Sequence, residues 1–119
     1  MKEGKIWGTT TDLLKSSAIE VHFIEIKPRT FCSLHKHQTK YNAFYLISGK
    51  LKIERWKNDY DLVDSTLLYP GDFTVVPPGE FHMFTSLEKS STGLEIYWSE
   101  LNHNDIIRKT SGGKIERSL

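Results

Sequence analysis

Apolar and polar residues alternate along most of this chain in short runs, and glycine and proline break the runs. The clearest is KLKIERW (50–56), with Leu51 and Ile53 on one face and Lys50, Lys52 and Glu54 on the other. A period of two is that of a half-buried strand. The same reasoning predicts strands over 20–28, which ends at Pro28, over 29–37, and over 42–48, which stops at Gly49. Further strands are predicted over 62–69, before Pro70-Gly71-Asp72, over 73–76, before Pro77-Pro78-Gly79, and over 80–87 and 94–100, split by a loop. Gly79 can take the positive φ that a tight turn requires. Only 102–109, NHNDIIRK, suits a helical turn, capped by Asn102 or Asn104. Regular short strands without a long helical period predict an all-β sandwich or barrel. Trp7 and the pair Leu13–Leu14 predict that the first residues pack on the body. The expected division is an arm over 1–18, a barrel over 19–101, and a helical turn with a polar tail over 102–119.

Composition narrows the functional classes. A chain of 119 residues makes one domain with one core. With 16 basic and 15 acidic residues it lacks the cationic excess of a general nucleic-acid or membrane-surface binder, so neither partner is expected. No apolar run approaches the ~20 residues of a membrane span, and MKEGKIWG lacks the apolar core of a signal peptide. Cys32 is the only cysteine, which rules out an intrachain disulfide and fits a reducing compartment; the expected location is cytoplasmic. A lone cysteine is read first as a small buried apolar residue.

The candidate chemistry lies in two stretches. In SLHKHQTKYNAFYLISG (33–49), His35 and His37 stand two apart, so on an extended backbone they share a face and Lys36 takes the other. If that face lines the barrel, two imidazoles converge, as divalent-metal sites require. In GDFTVVPPGEFHMFTS (71–86), a strand and a tight turn lead to His82.

These stretches resemble the two motifs of the cupin superfamily. The first motif is matched by His35-Lys36-His37, four residues, Asn42, six residues and Gly49. The second is matched by Gly71, five residues, Pro77-Pro78-Gly79, two residues, His82, three residues and Ser86. The resemblance implies an antiparallel jelly-roll β-barrel that holds a divalent transition metal (Zn, Mn, Fe or Ni) on His35, His37, His82 and the residue at position 42. Three departures stand out. Asn42 replaces the family's glutamate ligand, Ser86 its asparagine, and Arg29 a glycine. With an amide in place of the carboxylate, the site keeps a net charge of about +2 rather than about +1. Asn42 then either ligates through its oxygen, or stands behind an open three-histidine site, or the site holds no metal. Glu80, two residues before His82, is a substitute carboxylate or a solvent-exposed one.

A tight turn near Gly49 would fold 42–48 back on 50–57 and place residues 51, 53, 55 and 57 on the face of Asn42. Arg55 then either lies at the rim of a cationic cavity, whose natural ligand is a small anion, or bends out to solvent at the strand end. His22 shares a face with Ile24 and Ile26 and reads as a core or edge histidine, and His103 as an exposed one. Phe44 and Phe84 share the faces of Asn42 and His82 and could wall the cavity. Ala43, Tyr45 and Ile47 need cover on the opposite face, from the N-terminal arm or from a subunit interface; the resemblance implies a homodimer. KIWG, the first motif and the segment Asn104-Asp105-Ile106-Ile107-Arg108 also resemble the cupin domain of type II mannose-6-phosphate isomerases. That likeness implies metal-polarised sugar chemistry and adds Arg108 to Arg55 as a catalytic candidate. One fold hosts many chemistries, so three readings are carried forward. They are a Lewis-acid isomerase, epimerase or lyase, a non-haem iron or manganese oxygenase, and a module that binds a small ligand without turnover.

Overall fold

Ten antiparallel strands carry the chain in the computed structural model, which describes residues 1–58, 60–99 and 104–115. They are β1 (Lys2–Lys5), β2 (Gly8–Lys15), β3 (Ile19–Ile26), β4 (Thr30–Phe31), β5 (Tyr41–Ser48), β6 (Leu51–Trp56), β7 (Leu62–Leu68), β8 (Phe73–Val76), β9 (Phe81–Ser86) and β10 (Ser91–Trp98). Six form one sheet in the order β1-β2-β3-β10-β5-β8, and four form another in the order β4-β9-β6-β7. The core lies between them. Ile24, Ile26, Phe44, Leu46 and Val76 come from the first sheet, and Leu51, Ile53, Leu68 and Phe84 from the second. This is an all-β jelly roll. The arm enters it as strands, with β2 paired along β3, and Trp7 sets its ring edge-on to Phe84 at 4.9 Å. Leu13 and Leu14, by contrast, are exposed.

The expected hairpin about Gly49 does not form. β5 is flanked by β10 and β8, β6 by β9 and β7, so the chain crosses from one sheet to the other. Both edges of β5 are already paired, which leaves no place for β6 beside it. Gly49 makes the crossing with φ 87°, and a Cβ there would lie 2.4 Å from the Ser90 carbonyl oxygen, so only glycine fits. The strand expected over 29–37 shrinks to Thr30–Phe31 plus an isolated bridge at His35. At the head of that segment Arg29 takes φ 54°, the only positive value at a non-glycine among the described residues. Its amide donates to the Leu87 carbonyl at 2.7 Å, which holds the backbone in place. The expected helical turn is absent from described residues 104–109, where a single turn stands at Asn104; residues 102–103 lie outside the described residues. Asn and Asp favour such local turns over a helix with nothing to pack against.

The outer face of the six-stranded sheet is apolar. Phe23, Leu94, Tyr45 and Phe73 pair across four strands in one row, and Val21, Ile96, Ala43 and Val75 in the next. Tyr45 is 38% and Ile47 45% exposed. No helix among the described residues is long and apolar enough to cross a membrane.

Candidate metal centre

Backbone pairing builds the site. His35 and His82 exchange both amide–carbonyl hydrogen bonds, at 3.1 and 2.8 Å, so their side chains stand side by side. The Gly79 amide donates to the His37 carbonyl at 2.8 Å, where Gly79 has φ 88° in the Pro-Pro-Gly turn. That bond ties the turn before β9 to the His35–His37 segment. The three ring centroids lie 4.5, 5.1 and 5.5 Å apart. One ligand atom from each residue lies within 4.8 Å of the others.

The hydrogen-bond chemistry tests whether a cation fits. His35 Nδ1 donates to the Ser33 carbonyl at 2.8 Å, which leaves Nε2 as a lone pair. His82 has an oxygen on each side: the Glu80 carbonyl at 3.1 Å from Nδ1 and Asn42 Oδ1 at 2.8 Å from Nε2. A neutral imidazole carries one N–H and cannot serve both. Turning the Asn42 amide over would bring its oxygen toward the Ile96 carbonyl, which now accepts from Nδ2 at 3.4 Å. Protonating the ring would satisfy both oxygens. Burial, however, pushes the His82 pKa down to about 4, and the charges of His35 and His37 add to this against the Glu80 hydrogen bond. His37 is also lowered to about 4 by burial, then by His35 and Lys40, and its Nε2 is buried with no partner among the described residues. Lone pairs thus converge on one place with too few protons to share. A divalent cation satisfies that arrangement, and the donor set of imidazoles and an amide oxygen suits a transition metal.

A cavity of about 380 Å³ runs from His35 between the sheets, lined also by Trp7, Asp12, His22, Cys32, Phe84, Glu95 and Tyr97. Asp12, His22 and Glu95 form a cross-strand row with Phe44 on the inward face. Asp12 Oδ1 lies 2.8 Å from His22 Nδ1. Burial raises the Glu95 pKa, while the side chains of Tyr97 and Asn42 and the charges of His22 and His35 favour its ionised form. Burial also pushes the Tyr97 hydroxyl up, with the Glu95 charge next. Cys32 is a core residue whose thiol burial raises to about 11, so it is no thiolate nucleophile at neutral pH.

Arg55 reaches the centre by a route other than the expected hairpin: it pairs with His82 across β6 and β9. Its Nη1 donates to the Val75 carbonyl at 3.1 Å, and Glu80 and Asp64 carboxylates stand 3.8 and 3.9 Å away. Glu80 therefore faces Arg55 rather than the histidines. Arg108 lies in the exposed stretch 104–115 and does not line the cavity. His103 is outside the described residues. Asp12, Glu95 and Tyr97 had no motif to mark them. The one available signal was parity: Glu95 and Tyr97 share a face opposite Leu94, Ile96 and Trp98. An apolar face is normally taken as the inner one, and here it is the outer.

Residues 5–115 match the model of a protein family described as Cupin. No curated protein sequence matches the chain. Among solved structures, KdgF from a Halomonas species superposes with a TM-score of 0.72 at 14% identity, over 86% of this chain and 88% of that one. The Cnp3 cupin domain of Schizosaccharomyces pombe gives 0.71 at 9% identity, over 82% and 69%. A Cupin 2 conserved barrel domain protein from Salinispora arenicola gives 0.66 at 13% identity, over 83% and 82%. At these identities the structural matches establish the fold alone.

Proposed function

The chain belongs to the cupin family, and from that premise we propose that it is a metal-dependent enzyme of isomerase, epimerase or lyase type, acting on a small carbonyl-bearing or anionic molecule. The observation that carries this reading is the set of lone pairs on His35, His37, His82 and Asn42 that lack protons to share. A divalent transition metal held there supplies Lewis-acid polarisation of a carbonyl oxygen.

The chain's own residues supply the rest. His22, with the Asp12 carboxylate 2.8 Å from its Nδ1, is placed in the cavity as the candidate proton carrier. Trp7 and Phe84 form an apolar wall that limits water. Lys5 and Lys15 line the same cavity, each beside one carboxylate, Glu3 at 3.2 Å and Glu20 at 3.7 Å, and remain within reach of an anionic substituent. Arg55 has two carboxylates within 4 Å, so much of its charge is already balanced. The likeness to type II mannose-6-phosphate isomerases makes a sugar phosphate the specific form of the reading. The apolar outer face supports assembly as a homodimer.

Protein purified without chelator is expected to carry about one divalent ion per chain by elemental analysis. In deuterium oxide without oxygen, it is expected to incorporate deuterium beside the carbonyl of fructose 6-phosphate or mannose 6-phosphate, observed by NMR. His35→Ala and His82→Ala should abolish both. Oxygen uptake coupled to turnover would transfer the assignment to the oxygenases, and sugar affinity without exchange would reduce it to ligand binding.

A further inference from the structure

The four groups that meet at the centre, three imidazoles and one amide, bring no negative charge. A dication held by neutral donors alone keeps its full charge in a partly buried place, which is costly. One carboxylate stands behind this donor set. On β10, Glu95 pairs with Phe44 while Tyr97 pairs with Asn42, so Glu95 and Asn42 are diagonal neighbours on one inward face. Glu95 lines the cavity together with His35. On its other side it pairs with His22, whose Nδ1 lies 2.8 Å from an Asp12 carboxylate oxygen. Burial raises the Glu95 pKa, and the neighbouring Tyr97 and Asn42 side chains work against that rise. Asn42 Nδ2 also donates to the Ile96 carbonyl at 3.4 Å, so its nitrogen is held on the β10 side and Oδ1 is turned to His82.

We propose that Glu95 supplies the negative charge that the donors of the metal centre lack, and that it acts through Asn42. The carboxylate takes the amide N–H, fixes Oδ1 toward the metal and draws electron density onto it, so the amide becomes a stronger ligand. Glu95 is thus a positioning residue that works one hydrogen bond away from the ion, with Tyr97 holding it in place. This inference rests on the metal reading above.

The test is calorimetric titration of chelator-treated protein with zinc, manganese and nickel chlorides, with folding checked by circular dichroism. Glu95→Gln should weaken binding about 10- to 100-fold. Tyr97→Phe should weaken it less, and Glu25→Gln on the neighbouring strand should leave it unchanged. Asn42→Glu places a carboxylate directly at the centre, so in that background Glu95→Gln should cost less than about threefold. Wild-type affinity in Glu95→Gln, or an equal loss with and without Asn42→Glu, would overturn the inference while the metal reading stands. No binding of any of the three ions by the parent protein removes the metal reading, and this inference with it. If Glu95→Gln does not fold, Tyr97→Phe decides, and undiminished affinity in that variant rejects the proposal.

Discussion

At His82, two oxygens face a ring with one proton, but burial resists a second proton and makes the metal-free protein sensitive to acid. With His82 and His37 at about 4, against an ordinary 6.5, the unfolded chain binds more protons than the folded one between those values. Stability therefore rises with pH across that window and is lost as pH falls from 6.5 toward 4. For buried His82 the effect approaches about 3 kcal/mol; His37 acts in the same direction. Glu95, raised by burial, works in the opposite sense over its own range. Urea melts of chelator-treated protein at pH 7, 6 and 5 should show falling midpoints, and at pH 7 a thousandfold excess of metal over Kd should raise the unfolding free energy by about 4 kcal/mol. Replacing His35, His37 or His82 by alanine should strip metal and leave the fold largely intact, whereas His22→Ala and His103→Ala should leave metal content unchanged. Elemental analysis of the five variants decides, and equal losses in both sets would reject the assignment. Arg29→Gly should relieve a left-handed backbone and raise stability by up to about 1 kcal/mol, read as a higher melting temperature. At this scale the three histidines of the candidate centre were legible because their spacing is local to two short stretches. Glu95 was not, because its relation to Asn42 spans strands far apart in the chain.

The elements were legible wherever alternation or punctuation was sharp. β5, β6 and β8 appear within a residue of where the pattern placed them, and β7 ends one residue short of it. The failures share a cause. Strand pairing depends on which edges other strands already occupy, and a period of two is silent on that. Gly49 reads from sequence as a hairpin turn and serves as a crossing between sheets. Gly49→Ala should cost more than about 2 kcal/mol, since it adds both a forbidden φ and a collision with Ser90, and a lowered denaturation midpoint would show it. Ser86, which replaces an asparagine of the motif, has a structural explanation. It is fully buried, its hydroxyl donates to the Lys89 carbonyl at 3.0 Å, and Ser91 stands 3.2 Å away, so it ties β9 to β10.

Across the molecule, one sheet face encloses the cavity and the other presents apolar rows outward. Monomers seldom leave such a face open, and pairing two copies about a twofold axis would cover it. Sedimentation should find a dimer for the parent protein and a monomer for Tyr45→Lys combined with Phe73→Lys, with circular dichroism unchanged. A parent protein that sediments as a monomer at micromolar concentration would reject the dimer.

The sequence by itself determined the all-β class, the turns and the histidine triad, because alternation, backbone-specific residues and short ligand spacings are properties of neighbours along the chain. The tertiary structure alone decided that β5 and β6 part company, that the more apolar face of β10 turns outward, and that Asp12, His22, His35 and Glu95 gather around one cavity. Those outcomes depend on which strand edges meet, and antiparallel pairing across a jelly roll brings together residues whose separation in sequence carries no mark of their contact.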